Sequence, residues 1–179
     1  MVSDAELYEL AERVGHKLRA AGRLLVTAES CTGGWLSKAL TDVPGSSQWF
    51  ECGFVTYSNA AKMRDLGVSP GTLTGFGAVS EQAVREMAEG ALRVARANVA
   101  LAVSGIAGPD GALPGKPVGT VWFCAAARAD PAIDIIAEQQ FFDGDRAFVR
   151  SRSVQHALRL ILRLDLPVRL ENPSRTEPV

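Results

Sequence analysis

The stretch from Leu24 to Leu40 constrains the fold more than any other part of the chain. Leu24-Leu25-Val26-Thr27 is a short apolar run that reads as a buried strand, and Trp35-Leu36-Ser37-Lys38-Ala39-Leu40 reads as a helix. Between them lies Ala28-Glu29-Ser30-Cys31-Thr32-Gly33-Gly34. A strand that turns into a helix through hydroxyl, thiol and glycine residues sets nucleophilic groups beside free backbone N–H groups. Gly33 and Gly34 permit a tight bend and a close ligand approach. Such a turn can hold a nucleophile, an oxyanion or a phosphate. It also reads as a plain strand-to-helix connection capped by Ser30 or Thr32.

The chain has 179 residues, enough for one domain with a sizeable core. A formal net charge of -1 gives no footprint for nucleic acid or an acidic membrane. No apolar run approaches the roughly 20 residues of a membrane span, and the first residues lack a signal-peptide plan. Cys31, Cys52 and Cys124 are odd in number and lack CxxC spacing, which argues against a disulfide framework or structural zinc. These features indicate a cytoplasmic protein.

Ser3-Asp4-Ala5-Glu6 has the form of a capping box, and Leu7, Leu10, Val14 and Leu18 recur at helical spacing. A first helix should therefore run to about Ala21 and stop at Gly22. Trp49 to Tyr57 reads as a strand, followed by a short helix around Ala60–Met63. Ser69 to Gly77 reads as a connection. Ser80 should cap a long helix with Val84, Met87, Ala91, Val94 and Ala95 inward. Val99–Val103 is a continuous apolar run, as in a central strand, and opens into the glycine-rich loop Ser104–Gly111. Strands over Gly119–Ala127 and Ile133–Phe142 follow, the latter at an edge. A last helix begins near Arg146, with Ala147, Val154, Leu158 and Ile161 inward. This order indicates an α/β domain with a mixed sheet over residues 1–166. Residues 167–179, with three prolines, read as a flexible tail.

The candidate chemistry is limited. His16 and His156 have no neighbours that suggest a Ser-His-Asp set, and no metal-ligand spacing is present, so neither metal nor cofactor is expected. Lys62 or Tyr57 remains as an activator for Ser30 or Cys31. From spacing alone Lys62 reads as an exposed helix lysine, Tyr57 as a core tyrosine and Arg146 as a surface arginine. The Ser104–Gly111 loop fits phosphate or carbonyl binding but has neither P-loop nor GxGxxG order.

Three blocks together are more specific: Thr27-Ala28-Glu29-Ser30-Cys31-Thr32-Gly33-Gly34, Gly53-Phe54-Val55-Thr56-Tyr57-Ser58-Asn59 and Ser104-Gly105-Ile106-Ala107-Gly108-Pro109-Asp110-Gly111. With Gly77-Ala78-Val79-Ser80, Lys116-Pro117-Val118-Gly119-Thr120-Val121-Trp122 and Gly144-Asp145-Arg146, they resemble the CinA C-terminal domain family, in order, to about Leu164. The likeness is to the stand-alone amidase form, with no room for the further N-terminal domain of longer members. The resemblance implies a three-layer α/β/α fold with a mixed, mostly parallel sheet. It implies hydrolysis of the nicotinamide mononucleotide carboxamide to nicotinate mononucleotide and ammonia, within pyridine nucleotide salvage. It assigns Ser30 as nucleophile, with Tyr57 and Lys62 handling its proton, either by a neutral Lys62 or by relay through Tyr57. N–H groups near Thr32, Gly33 and Gly34 are expected to receive the oxyanion. Ser104, Gly105, Gly108 and Arg146 are expected to hold ribose and phosphate. The expected partner is thus a small pyridine nucleotide, and a homodimer stays open. A non-catalytic nucleotide-binding or competence-associated domain is the rival reading, and Cys31 rivals Ser30.

Overall fold

Local signals set the element boundaries. In the computed structural model, which describes residues 1–129 and 133–166, α1 spans Asp4–Ala20. Its capping box is complete: the Ser3 side chain accepts from the Glu6 N–H, and the Glu6 side chain accepts from the Ser3 N–H. Then come β1 (Leu25–Glu29), α2 (Trp35–Thr41), a 3₁₀ turn (Ser46–Gln48), β2 (Phe50–Val55) and α3 (Asn59–Leu66). The chain continues with α4 (Pro70–Gly75), α5 (Glu81–Val94), β3 (Val99–Gly105), β4 (Thr120–Arg128), β5 (Ile133–Phe141) and α6 (Arg146–Arg163). Ser80 caps α5 and Asp145 caps α6, each accepting from the N–H three residues on. The expected tail, 167–179, lies outside the described residues.

The sheet order is β2-β1-β3-β4-β5. β1 runs parallel to β2 and β3, whereas β4 is antiparallel to β3 and to β5. The sheet is mixed, as expected, and its parallel pairings are half of the total rather than most of it. β3 lies in the middle, and its residues from Val99 to Ser104 are buried.

Helices cover both faces. Leu25, Val99, Leu101, Val103 and Phe123 pack with buried residues of α1, α2 and α6. On the opposite face Ala28, Ala100, Ala102 and Ala126 meet Val84, Met87 and Ala91 of α5 and Leu66 of α3. Small residues on that face let α5 lie close to the sheet. No helix among the described residues is long and apolar enough to cross a membrane.

Three local expectations fail. Ser69–Gly77, read as a connection, contains α4, with Ser69 as cap and Pro70 in the first turn. Val94 is exposed because α5 ends there, and Ala147 is exposed in the first turn of α6, where Val149 takes the inward position.

α3 is held against α5 at Gly90. A Cβ there would lie 2.0 Å from the Leu66 carbonyl oxygen, so the two helices approach only because residue 90 has no side chain. Gly90→Ala should cost about 1–3 kcal/mol in chemical denaturation. Unchanged stability would show that the contact yields freely.

Candidate active site

The parallel strands β2, β1 and β3 all end at the same edge of the sheet. Their pairing continues one residue further: the Thr56 N–H donates to the Glu29 carbonyl (2.9 Å) and the Ser30 N–H to the Val103 carbonyl (3.0 Å). Ser30, Thr56 and Ser104 are thereby set side by side. Beyond them lies a cleft of about 270 Å³. It brings together Ser30, Tyr57, Lys62, Ser104, Gly105, Gly108 and Arg146 from the residues expected, with Cys31 beside them. Asp110, singled out for no role from sequence, also lines it.

Lys62 is buried, contrary to the exposed position its spacing suggested. It lies one turn before Leu66 on the inner face of α3, a helix capped by Ser58, and is 1% exposed. Its Nζ is 2.9 Å from Ser30 Oγ, 2.6 Å from the Thr56 carbonyl oxygen and 3.3 Å from that of Tyr57. Burial lowers its pKa from 10.5 to about 8. A neutral amine has two N–H donors and one lone pair. Two carbonyls take the donors, which leaves the lone pair for the Ser30 hydroxyl.

Tyr57 is not a core residue. Its side chain is 62% exposed, and its hydroxyl accepts from Arg146 Nη2 at 3.3 Å. The carbonyl, rather than the hydroxyl, meets Lys62, so the structure gives no contact for a relay through the Tyr57 hydroxyl. Arg146 also donates through Nη1 to the Gly108 carbonyl (2.9 Å), which ties the glycine-rich loop to the start of α6. Ser104 Oγ donates to the Ala78 carbonyl (2.7 Å) and fastens the segment before α5 to the end of β3.

Cys31 is 5% exposed, and burial, with the nearby Glu29 charge in support, raises its thiol pKa to about 12. At neutral pH it is a thiol, which is a poor nucleophile.

The turn after β1 is held differently from what its sequence suggested. Neither Ser30 nor Thr32 caps α2; the cap is Gly34, at φ 93°, and no side-chain cap bond is present. The N–H groups of Gly34, Leu36 and Ser37 donate instead to the buried Glu29 carboxylate at 2.9, 3.1 and 2.8 Å. The Gly33 N–H donates to the Ser30 carbonyl. Gly33 and Gly34 thus have no free N–H for an oxyanion, and they line a separate groove with Trp35 and Arg150. Thr32 does not line the cleft; its Oγ1 is buried without a hydrogen-bond partner among the described residues. Arg150 donates through Nε to the Cys31 carbonyl (3.1 Å) and through Nη2 to that of Thr32 (2.8 Å).

Glu29 and Arg150 are the residues that sequence reasoning missed, although each left a signal. A carboxylate at the end of an apolar strand must find buried donors. Arg150 follows Arg146 by four residues and so shares its helix face. Among the described residues no group of three or more His, Cys, Asp or Glu side chains is placed to hold a metal.

The CinA C-terminal domain model matches residues 7–164. The nicotinamide-nucleotide amidohydrolase PncC of Escherichia coli K12 is 53% identical over 161 residues, spanning 89% of this chain and 95% of that protein. The protein of the same name from Pseudomonas putida is 50% identical, over 87% and 94% of the two chains. A competence/damage inducible protein of Agrobacterium tumefaciens superposes with a TM-score of 0.82 at 44% identity, covering 88% of this chain and 94% of its own. With the whole sheet, the cleft and nearly all of the length included in these matches, the chain belongs to the CinA C-terminal domain family.

Proposed function

We propose that this chain is a nicotinamide-nucleotide amidase that hydrolyses the carboxamide of nicotinamide mononucleotide to nicotinate mononucleotide and ammonia. The observation that carries the reading is the 2.9 Å contact between a buried Lys62 amine and the Ser30 hydroxyl at the floor of the cleft. Relatives at about half identity that match over most of their length bear the amidohydrolase name.

In this reading neutral Lys62 accepts the Ser30 proton as Oγ attacks the carboxamide carbon. The resulting ammonium returns that proton to the leaving nitrogen. The C–N bond breaks, ammonia departs, and the nicotinoyl group stays as an ester on Ser30. Water then attacks the ester, Lys62 accepts a proton from it and returns it to Ser30 Oγ, and the acid is released. Arg146, fixed by Gly108 and the Tyr57 hydroxyl, supplies the positive charge for the phosphate at the mouth. Ser104, Gly105 and Gly108 shape the wall for ribose. Thr56 and Tyr57 act through their carbonyls, which orient the amine.

Assays of ammonia and nicotinate mononucleotide release test this reading. Ser30→Ala should abolish turnover, and Lys62→Met should reduce kcat by about 10²–10⁴. Cys31→Ser should retain activity. Tight nucleotide binding without turnover in the unmodified protein would favour the binding-module reading instead.

The pH dependence has a fixed sign. Only the neutral amine can accept the proton, so kcat/KM should rise with pH and level off above about 8. About a tenth of the amine is then active at pH 7. A profile flat from pH 6 to 9 would exclude Lys62 as the base.

Thiol alkylation gives a separate check. With Cys31 and Cys124 each raised to about 12 by burial, alkylation of the native protein near pH 8 should reach half-buried Cys52 first. Rapid labelling of Cys31, read by mass, would return it to contention as the nucleophile.

A further inference from the structure

We propose that Arg150 is a positioning residue for the amidase chemistry: it fixes the peptides after Ser30 so that their N–H groups, and not their carbonyls, face the reacting carboxamide. The inference rests on the amidase reading above and concerns a side chain outside the cleft. Arg150 lies on α6, one turn beyond Arg146, and lines the groove that contains Gly33, Gly34 and Trp35. Its guanidinium is 5.5 Å from the centre of the Trp35 ring and donates to two successive carbonyls, Cys31 and Thr32.

In a trans peptide the carbonyl and the N–H point in opposite directions. Holding the Cys31 carbonyl toward α6 therefore directs the Thr32 N–H away from α6. Amide partners within the turn narrow the choice of oxyanion donors. Those of Ser30, Gly33, Gly34, Trp35, Leu36 and Ser37 are already bonded within the protein. Among the described residues the N–H groups of Cys31 and Thr32 donate to no other residue, the Cys31 N–H meeting only its own thiol. Both belong to the turn that carries Ser30, and Cys31 lines the cleft beside it. If the Cys31–Thr32 peptide turned over, an oxygen would stand where the tetrahedral intermediate needs a donor. Arg150 is the Cys31 carbonyl's partner and so opposes that rotation.

Loss of oxyanion stabilisation acts on the transition state, so it lowers kcat and leaves KM nearly unchanged. Arg150→Ala should reduce kcat by about 100-fold, and added guanidinium should restore part of it in this variant while leaving the unmodified protein unaffected. Arg150→Lys retains the charge but cannot bond both carbonyls in one fork. It should also lose kcat, which keeps the test open if the alanine variant does not fold. A sulfonyl fluoride that labels Ser30, followed by mass, gives a readout that does not require nicotinamide mononucleotide; its rate should fall in both variants. Normal kcat and labelling in Arg150→Lys would overturn the proposal, as would a raised KM with normal kcat, which would place Arg150 on the substrate. No turnover by the unmodified protein would refute the amidase reading alone, with the labelling rates still deciding the role of Arg150.

Discussion

A buried carboxylate organises the catalytic end of this sheet. Glu29 has no exposed surface, and it accepts from three N–H groups in and before the first turn of α2 and from Ser37 Oγ at 2.6 Å. Burying such a group is costly unless every acceptor site is used, and bonds of this kind are among the stronger ones a protein makes. The network continues from Ser37 Oγ to Thr27 Oγ1 at 2.7 Å. It also reaches β2, because a Cβ on Gly53 would lie 2.3 Å from Ser37 Oγ. One side chain thus ties the end of β1 to α2, and the bare backbone of the neighbouring strand gives it space. Where the turn carrying Ser30 enters α2, the Gly34, Leu36 and Ser37 N–H groups are held by an acid, and the Cys31 and Thr32 carbonyls are held by a guanidinium.

The chemistry of Lys62 arises from what surrounds it. Among the described residues its hydrogen-bond partners are two backbone carbonyls and a serine hydroxyl, with no carboxylate. A lysine in that setting gains little from its charge and loses its hydration, so the neutral form becomes accessible near physiological pH. The carbonyls come from Thr56 and Tyr57, where the chain leaves β2, and the amine comes from α3 just after. A few residues of local chain therefore build the surroundings of the amine, and the parallel pairing of β1 with β2 brings it to the Ser30 hydroxyl.

Much of the architecture was legible because it depends on periodicity and caps. The Ser3–Glu6 box, the Ser80 cap and the apolar Val99–Val103 run each correspond to an element in place. The antiparallel half of the sheet could be read from strands that follow one another without a helix, but its weight relative to the parallel half could not. α4 was hidden because its Pro-Gly-Thr composition is that of a loop, while its support comes from Glu86, seventeen residues away from Ser69. The site was legible in membership more than in roles. Spacing made Lys62 look exposed and Tyr57 look buried, and the structure reverses both, since burial is a property of the packed layers. Gly33 and Gly34 were read as donors because glycine marks a close approach, whereas their N–H groups go to Ser30 and Glu29. The pairing of Arg150 with residues more than a hundred positions earlier has no local trace.

The contact between Leu66 and Gly90 has a consequence far from where it occurs. It seats the last turn of α3, and the same helix keeps water from the Lys62 amine. If that helix breathes outward, the amine is hydrated and its proton affinity returns toward that of a free lysine. Roughly one molecule in a few thousand would then hold a neutral amine at pH 7. For the base proposed above, that is a fall of roughly two orders of magnitude in the active fraction while the sheet is still paired, through the wetting of a single helix face.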